Sequence, residues 1–372
     1  MTLDTLHSLL LGFINLTPGH VLMLAVGCLL IYLAVRHGYE PLLLLPIGLG
    51  CVMANIPKSG ITDPHGLLRI FYDAGIATEI LPSLVFIGIG ALTDFGPLFQ
   101  APHLVLLGAA AQFGIFGTML VATVMGFSIK DAASIGMIGS ADGPTSIYVA
   151  SKLAPALLGP IAVAAYSYMS LVPLIQPPVM RLLTTKEERR IKMPYTERPV
   201  SKTTRVIFPV TVTIVCGLLV PMATPLIGML MFGNLMRESG VVDRLTKASQ
   251  NELANIVTLI LGIAVGSSMS AENFLHWRTI FIIAMGLVAF ALDTAAGVLF
   301  GKLMCVLSGR KINPLIGASG ISAFPMSARV VQKVGQDEDF TNFLLMHAMA
   351  SNTAGQIASV MAGGVMLALL VK

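Results

Sequence analysis

Residues 139–148, GSADGPTSIY, place one carboxylate among small and helix-breaking residues between two apolar stretches. Gly139 and Gly143 let the backbone leave helical geometry, and Pro144, which lacks an amide donor, favours the start of a new half-helix. The freed carbonyls, the Asp142 carboxylate and the hydroxyls of this stretch would together form an oxygen-rich site. Hard cations prefer oxygen ligands. The stretch therefore predicts a site for a monovalent cation that one carboxylate neutralises.

Asp142 also has a simpler interpretation, because aspartate commonly caps the first turn of a helix. The functional interpretation is favoured because an ionisable side chain inside a membrane span usually faces a cavity or a partner and marks a pathway. Asp293, in the apolar stretch FALDTAAG, is a second carboxylate of this kind. It lacks a backbone break, and both helix packing and a proton relay remain open for it.

A second interruption, KINPLIGASGISAFPMSARVV over residues 311–331, offers neutral ligands and one cation. Its polar candidates are Asn313, Ser319, Ser322 and Arg329, and its backbone is opened by Gly317, Gly320 and Pro325. In the last apolar stretch, Asn352 and Thr353 add amide and hydroxyl oxygens at a depth where an unpartnered side chain is unfavourable. Hydrogen bonding between helices is the alternative for that pair.

Tyr168, in AAYSYMSLVPL, is the remaining candidate for chemistry. Its phenol lies two turns before paired prolines and could donate a proton. An interfacial anchor is an equally good interpretation, and the sequence leaves the two open.

The elements that position these residues must lie in a membrane. Of the 372 residues, 55% are hydrophobic and 11% are charged, and the mean hydropathy is +0.83. A water-soluble fold would have too little polar surface. The basic residues gather in short segments between apolar runs, which favours cytoplasmic loops and argues against nucleic-acid binding. The four cysteines stand singly in apolar stretches and are interpreted as core residues.

The apolar runs predict an all-α, polytopic membrane protein with about ten to twelve helical segments. Residues 1–20 lack a basic region and a cleavage site, so they predict an interfacial helix and not a removed signal peptide. The run RVIFPVTVTIVCGLLVPMATPLIGMLMFG is expected to be broken or doubled at its prolines. No separate soluble domain is predicted.

The most polar stretch, residues 185–205, is expected to be a basic cytoplasmic loop. It separates two halves of similar order. The first repeat would cover residues 66–184 with a broken segment near 139–145, and the second would cover residues 250–372 with a broken segment near 313–325. Interrupted helices at corresponding positions are typical of inverted-repeat carriers, whose site lies at the repeat interface near the membrane midplane.

At these residues the chain resembles the β subunit of the sodium-pumping biotin-dependent decarboxylases, the group that acts on oxaloacetate, methylmalonyl-CoA and glutaconyl-CoA. The resemblance covers essentially the whole chain. It is carried by five linked motifs in one order: GALTDFGPL, GSADGPTSIYVASKLAP, YSYMSLVPLIQPP, NPLIGASGISAFPMSARVVQKVG and HAMASNTAGQIASVMAGG.

The resemblance implies roles for the candidate residues. Sodium would be bound by Asp142, Asn313, Asn352 and Ser322. Carboxybiotin would be bound by Arg329, Ser322 and Gly317, and catalysis would involve Tyr168, Arg329 and Asp142. The implied reaction releases CO2 from carboxybiotin, consumes a proton and drives Na+ outward across the cytoplasmic membrane of a bacterium or archaeon.

The resemblance also implies partners. The sequence has no Ala-Met-Lys-Met biotinylation motif, because RIKMPY around Lys192 lacks its flanks, and no carboxyltransferase domain fits in this length. A carboxyltransferase subunit, a biotin carrier subunit and a small membrane subunit would therefore be needed, and self-association of the chain is left open. The runner-up function is a secondary transporter, either a sodium/proton antiporter or a sodium-coupled carboxylate carrier. A non-catalytic membrane anchor is a third hypothesis, disfavoured by the buried polar residues.

Overall fold

The computed structural model describes residues 10–38, 41–195 and 199–371; the regular secondary structure in these ranges is helical, with no strand. The α-helices up to the basic loop are α1 (Leu11–Ile14), α2 (Pro18–His37), α3 (Pro41–Ala54), α4 (Leu67–Phe71), α5 (Ile80–Leu92), α6 (Gly96–Gln100), α7 (Val105–Ala111), α8 (Phe113–Val124), α9 (Ile129–Gly136), α10 (Gly143–Leu153), α11 (Leu158–Ser170) and α12 (Val172–Leu183).

The remaining α-helices are α13 (Lys186–Arg189), α14 (Lys202–Leu219), α15 (Thr224–Ser239), α16 (Asp243–Ala248), α17 (Ala254–Ser267), α18 (Ala271–Phe274), α19 (Trp277–Leu307), α20 (Met326–Glu338) and α21 (Leu345–Leu370). Short 3-10 segments are Pro102–Leu104, Met137–Ser140, Pro155–Leu157, Pro221–Ala223 and Pro314–Gly320, and π-helical segments are Tyr72–Ala77 and Ser249–Leu253.

The prediction of an all-α, multi-pass membrane protein is confirmed. In the described ranges, 6 helical segments are long and apolar enough to cross a membrane, or up to 8 if each of two bent pairs is one span. The run predicted to be doubled at its prolines forms two helices, α14 and α15. Of the predicted interfacial helix, residues 1–9 lie outside the described ranges, and α1 is a single helical turn before the first span.

The basic loop defines one end of the bundle, here called the loop end; the opposite end is the far end. Residues 196–198 of that loop lie outside the described ranges. The C-terminal part of α19 lies at the loop end, because the Lys302 ammonium donates to the Leu183 carbonyl at 3.0 Å. Trp277, at the start of this 31-residue helix, therefore lies at the far end.

The first hairpin, residues 129–153, consists of α9, the turn Met137–Ser140 and α10, and it enters the bundle from the far end. Before it, Phe127 stacks on Phe281 of α19 with ring centroids 5.2 Å apart. In α10, the Tyr148 hydroxyl donates to the Met222 carbonyl, between α14 and α15, at 3.0 Å. The turn itself reaches the middle of α19, where Gly139 contacts Ala289 and Asp293.

The second hairpin, residues 313–338, enters from the loop end. The Asn313 side chain donates to the Arg189 carbonyl at 2.9 Å, and the Arg189 guanidinium pairs with Glu338 at 2.7 Å. Both ends of this hairpin therefore lie against the basic loop. Gly317 packs so closely on Gly297 of α19 that a Cβ at either position would collide with the other backbone.

The tips of the two hairpins meet inside the bundle, where the Ser322 amide donates to the Ser140 carbonyl at 2.8 Å. The backbone breaks fall at Met137–Asp142 and between Asn313 and Pro325, close to the segments that the glycines and prolines predict. Two hairpins of opposite orientation are the arrangement that inverted repeats produce. The boundaries 66–184 and 250–372 stay predictions.

Candidate functional site

Asp142 lies at the tip of the first hairpin and caps α10. Its Oδ1 accepts a hydrogen bond from the Thr145 amide at 3.1 Å, and Pro144 occupies the first turn. The preceding Ala141 has φ of 53°, a left-handed conformation that is unfavourable for alanine. The capping and the functional interpretation of Asp142 are thus compatible, because one carboxylate oxygen caps the helix and the other points away from it.

That second oxygen begins a chain of hydroxyl groups. The Ser359 hydroxyl of α21 lies 2.7 Å from Asp142 Oδ2, and the Ser322 hydroxyl of the second hairpin lies 2.6 Å from Ser359 Oγ. Asp142 is 6% exposed, Ser322 is 8% exposed and Ser359 is fully buried. One carboxylate and two hydroxyls from three separate elements therefore form a compact oxygen cluster where the hairpins meet.

Asn352 lies beside this cluster. Its amide nitrogen donates to the Ile321 carbonyl, next to Ser322, at 2.6 Å. Its Oδ1 is buried and has no hydrogen-bond partner in the described part of the chain. Leaving a buried acceptor unpaired costs about 1–3 kcal/mol. A cation is one ligand that would satisfy this oxygen.

Asn313 is placed differently. Its Oδ1 caps the 3-10 segment through the Leu315 amide at 3.0 Å, and its nitrogen donates to the carbonyls of Arg189 and Ile191. Within the described residues, no hydrogen bond joins it to Asn352. Asn313 thus holds the second hairpin to the basic loop, and its predicted role as a sodium ligand remains a prediction.

A cavity of about 800 Å³ extends from the oxygen cluster toward the loop end. Asp142 and Ser322 lie at its inner end, and Asp94 and Arg329 lie nearer the loop end. Its wall is largely apolar, with side chains such as Leu42, Ile89 and Met349. Volumes of this size accommodate small organic ligands, whose orientation a few polar groups then determine.

Arg329 presents an exposed side chain to this cavity. Within the described ranges it forms no ion pair, whereas Asp94 of the same cavity wall is paired with Arg237 at 3.3 Å. A guanidinium without an acidic partner can bind a carboxylate through paired hydrogen bonds. The structure thus places Arg329 where it can receive an anionic ligand.

The two tyrosines of YSYMS point in different directions. Tyr166 lines the cavity, and its ring packs directly on the Gly143 backbone beside Asp142. Tyr168 is not part of the cavity wall; its hydroxyl donates to the Ile283 carbonyl of α19 at 2.5 Å. Gly317 also lies outside the wall, against α19. The predicted roles of Tyr168 in catalysis and of Gly317 in carboxybiotin binding would therefore require each residue to reach the cavity, which neither does in this conformation.

Three residues of the site were not singled out from the sequence: Tyr166, Gln356 and Ser359. Gln356 lines the cavity and accepts a hydrogen bond from Thr93 at 3.1 Å. For Gln356 and Ser359 the sequence does contain a signal: together with Asn352 they follow the i, i+4, i+7 spacing of one helix face in the last span.

The chain is similar along nearly its whole length to one family of known proteins. Residues 19–370 match the family model described as the Na+-transporting oxaloacetate decarboxylase beta subunit. The chain is 56% identical over 359 residues to the glutaconyl-CoA decarboxylase subunit beta of Acidaminococcus fermentans, an alignment that covers 96% of this chain and 95% of the relative.

Two further relatives are similarly complete. The methylmalonyl-CoA decarboxylase subunit beta of Veillonella parvula is 56% identical over 96% of this chain and 95% of its own length. The oxaloacetate decarboxylase beta chain of Klebsiella pneumoniae is 47% identical over 98% of this chain and 99% of its own length. The resemblance inferred from the five motifs is confirmed: the chain belongs to the family of sodium-transporting decarboxylase β subunits.

Proposed function

We propose that this chain carries out the membrane step of a sodium pump, in which carboxybiotin on a partner subunit loses CO2 in the cavity and Na+ is exported through the cluster at Asp142. The observation that carries the proposal is the Ser322–Ser359–Asp142 chain at the junction of the hairpin tips, at the inner end of a cavity that contains Arg329.

The cavity fits a carboxylated biotin. Its largely apolar wall suits the ring and the aliphatic chain, and Arg329 suits the carboxylate. When it is bound, carboxybiotin supplies a carbamate that releases CO2 and takes up one proton at the ureido nitrogen. Arg329 would orient the carboxylate, and the wall would exclude water from it. Tyr166 is the phenol that faces this space, while Tyr168 anchors α11 to α19.

Asp142 would couple the chemistry to transport. A buried carboxylate is stable only when a cation neutralises it, so Na+ and H+ compete for it. Ser322, Ser359 and Asn352 add neutral oxygens that suit Na+. The loop end is cytoplasmic by the positive-inside rule, and Na+ and carboxybiotin would both arrive from that side in this conformation.

The proposal includes partners and a location. A biotin carrier, a carboxyltransferase and a small membrane subunit would supply and present the substrate, and the complex would lie in the cytoplasmic membrane of a bacterium or archaeon. The exposed loop end, with α13 and the end of α20, is the face at which the carrier would arrive.

The test uses the complex reconstituted with its partners in vesicles, with substrate-dependent CO2 release and 22Na+ uptake as readouts. Asp142→Asn should abolish both, because an amide neither balances Na+ nor releases a proton. Asp131→Asn, at the outer base of the same hairpin, is the matched control and should retain both. Sodium pumping by Asp142→Asn at the wild-type rate would refute the proposal.

A second arm addresses secondary transport. The proposed pump requires carboxybiotin, so vesicles that contain this chain without partners should show no sustained 22Na+ flux. Sodium/proton exchange by the chain alone, at the rate of the full complex, would favour the carrier instead.

A further inference from the structure

Asp293 contacts the first hairpin's turn at Gly139, three positions before Asp142, and the proposed function assigns no role to it. It is near the middle of α19, is fully buried, and faces the turn Met137–Ser140. Neither carboxyl oxygen has a hydrogen-bond partner of normal geometry in the described ranges, although the Ile115 amide lies close enough to interact with the carboxyl.

Two glycines form the slot that holds this carboxyl. A Cβ at Gly114 of α8 would collide with Oδ1, and a Cβ at Gly139 of the turn would collide with Oδ2. The carboxyl is thus enclosed between a helix on one side and the first hairpin on the other. The slot exists only while the turn stays packed on α19.

The groups that surround the Asp293 carboxyl determine whether it is ionised. No charged side chain of the described residues pairs with it. The Tyr168 ring of α11 contacts Gly286 of α19, two turns nearer the far end, and Lys302 lies nearer the loop end. An ionised carboxylate in apolar surroundings without partners is highly unfavourable, and such a group takes up a proton instead. The closed slot therefore favours the neutral, protonated form of Asp293.

The turn connects Asp293 to the sodium cluster. Gly139 contacts Asp293. The carbonyl of the next residue, Ser140, accepts a hydrogen bond from the Ser322 amide, and Asp142 lies two positions after Ser140. A movement of the first hairpin against α19 that carries Asp142 toward the far end would shift Gly139 along the Asp293 carboxyl. Because the closed slot disfavours an ionised carboxylate, proton binding by Asp293 and the position of the hairpin on α19 are thermodynamically linked.

We propose that Asp293 is a proton-binding site that controls the first hairpin: the protonated carboxyl holds the turn Met137–Ser140 against α19 in this conformation, and loss of the proton accompanies movement of the hairpin. The effect of this proton on transport rests on the proposed sodium pumping, whereas the proton binding itself does not. Asp293 acts through the hairpin and is a positioning residue for the sodium cluster.

The functional test compares single-turnover CO2 release with steady-state 22Na+ pumping in the reconstituted complex. Asp293→Asn keeps the slot filled by a group that cannot ionise, so release from preformed carboxybiotin should stay within about twofold of wild type. Steady-state pumping should fall by about tenfold or more, a size typical of the loss of coupling between two linked equilibria, because the variant cannot release a proton when the hairpin moves. Thr118→Val is the control: it removes a buried hydroxyl of the neighbouring helix α8 that also has no partner in the described ranges, and it should leave both rates unchanged.

A direct test examines the proton itself. Infrared spectra of the wild-type complex in lipid should contain a band of a protonated carboxyl in apolar surroundings that is absent from Asp293→Asn. Equal spectra, or Asp293→Asn pumping at the wild-type rate, would overturn the proposal. If the variant does not assemble, the wild-type complex is treated with dicyclohexylcarbodiimide. This reagent modifies protonated carboxyls in apolar sites, so it reports whether Asp293 is protonated.

The labelling is unambiguous because trypsin releases residues 279–302, in which Asp293 is the sole acidic side chain. An adduct on this peptide supports the proposal, and an unlabelled peptide in complex that the reagent has inactivated refutes it. The infrared and labelling results concern the chain itself, so they stand even if the complex fails to pump. Failure of wild-type pumping would instead count against the proposed function.

Discussion

The backbone amide of Ser322 donates to the backbone carbonyl of Ser140 at 2.8 Å, so the tips of the two hairpins are joined directly. Because the hairpins enter from opposite ends, this bond lies where the two broken elements and α21 converge. The hydroxyls of Ser322 and Ser359 then continue from this junction to Asp142. A cation at this position would contact both hairpins at once, which is the requirement for coupling its binding to their movement.

Ser359→Ala tests whether α21 contributes to the sodium cluster. The substitution removes the hydroxyl that links Ser322 to Asp142. We expect the Na+ concentration for half-maximal CO2 release to rise by about fivefold to tenfold, the effect of losing an interaction worth roughly 1–1.4 kcal/mol. Ser319→Ala is the matched control, since its hydroxyl donates to the carbonyls of Ile316 and Ala348 and not to the cluster. Equal sodium dependence in both variants would remove Ser359 from the site.

Substitutions of Asn352 and Asn313 should have different effects on the sodium dependence of CO2 release. Asn352→Ala is expected to raise the Na+ requirement, because its unpaired Oδ1 lies beside the cluster. Asn313→Ala should instead loosen the second hairpin from the basic loop, because the Asn313 side-chain nitrogen donates hydrogen bonds to the carbonyls of Arg189 and Ile191. Limited proteolysis of the loop measures this second effect. A sodium shift of the same size in Asn313→Ala, with an unchanged loop, would restore the shared site that the resemblance implies.

Much of this site is readable from the sequence, for identifiable reasons. The breaks are marked by glycine and proline, which leave a strong local pattern in an apolar chain, and Asp142 stands out because a carboxylate there is rare. Side-chain direction is less visible. Residues two positions apart on a helix differ by about 200° in direction, so Tyr166 faces the cavity while Tyr168 faces α19. Ser359 gave no signal of its own, because serine is common among the small residues of spans.

Tyr166→Phe and Tyr168→Phe form a matched pair for the proton donor. If the donor is the phenol that lines the cavity, Tyr166→Phe should slow single-turnover CO2 release by about 10²-fold or more, as expected for loss of a general acid. Tyr168→Phe should leave that step near the wild-type rate and lower the thermal stability of the complex, because it removes the bond to the Ile283 carbonyl. The reverse order would assign the proton to Tyr168 and require its hydroxyl to leave Ile283 when carboxybiotin binds.

The contact between the basic loop and the second hairpin should weaken in acid. Hydrogen bonds from Arg189 lower the pKa of Glu338 below its ordinary value. A carboxyl with a lowered folded-state pKa stabilises the fold above its unfolded pKa of about 4.3 and loses that contribution as the pH falls through the folded value. Proteolysis of the loop should therefore accelerate at acidic pH in wild type, whereas Glu338→Gln should be cleaved faster at neutral pH and show little further change in acid. A loop equally resistant in both proteins at neutral pH would contradict this contact.

Arg329→Lys tests how the cavity recognises its substrate. Lysine keeps the charge but cannot form the paired hydrogen bonds that a guanidinium offers a carboxylate, and Arg329 has no ion pair in the described ranges that would otherwise be disturbed. We expect the variant to need about tenfold more carboxylated carrier for half-maximal CO2 release, with sodium dependence unchanged. Lys333→Ala, one turn further along α20, is the matched control because Lys333 lies outside the cavity wall. If Arg329 merely extended to the membrane surface, both variants would retain wild-type carrier dependence, and the anion would have to be held by another group.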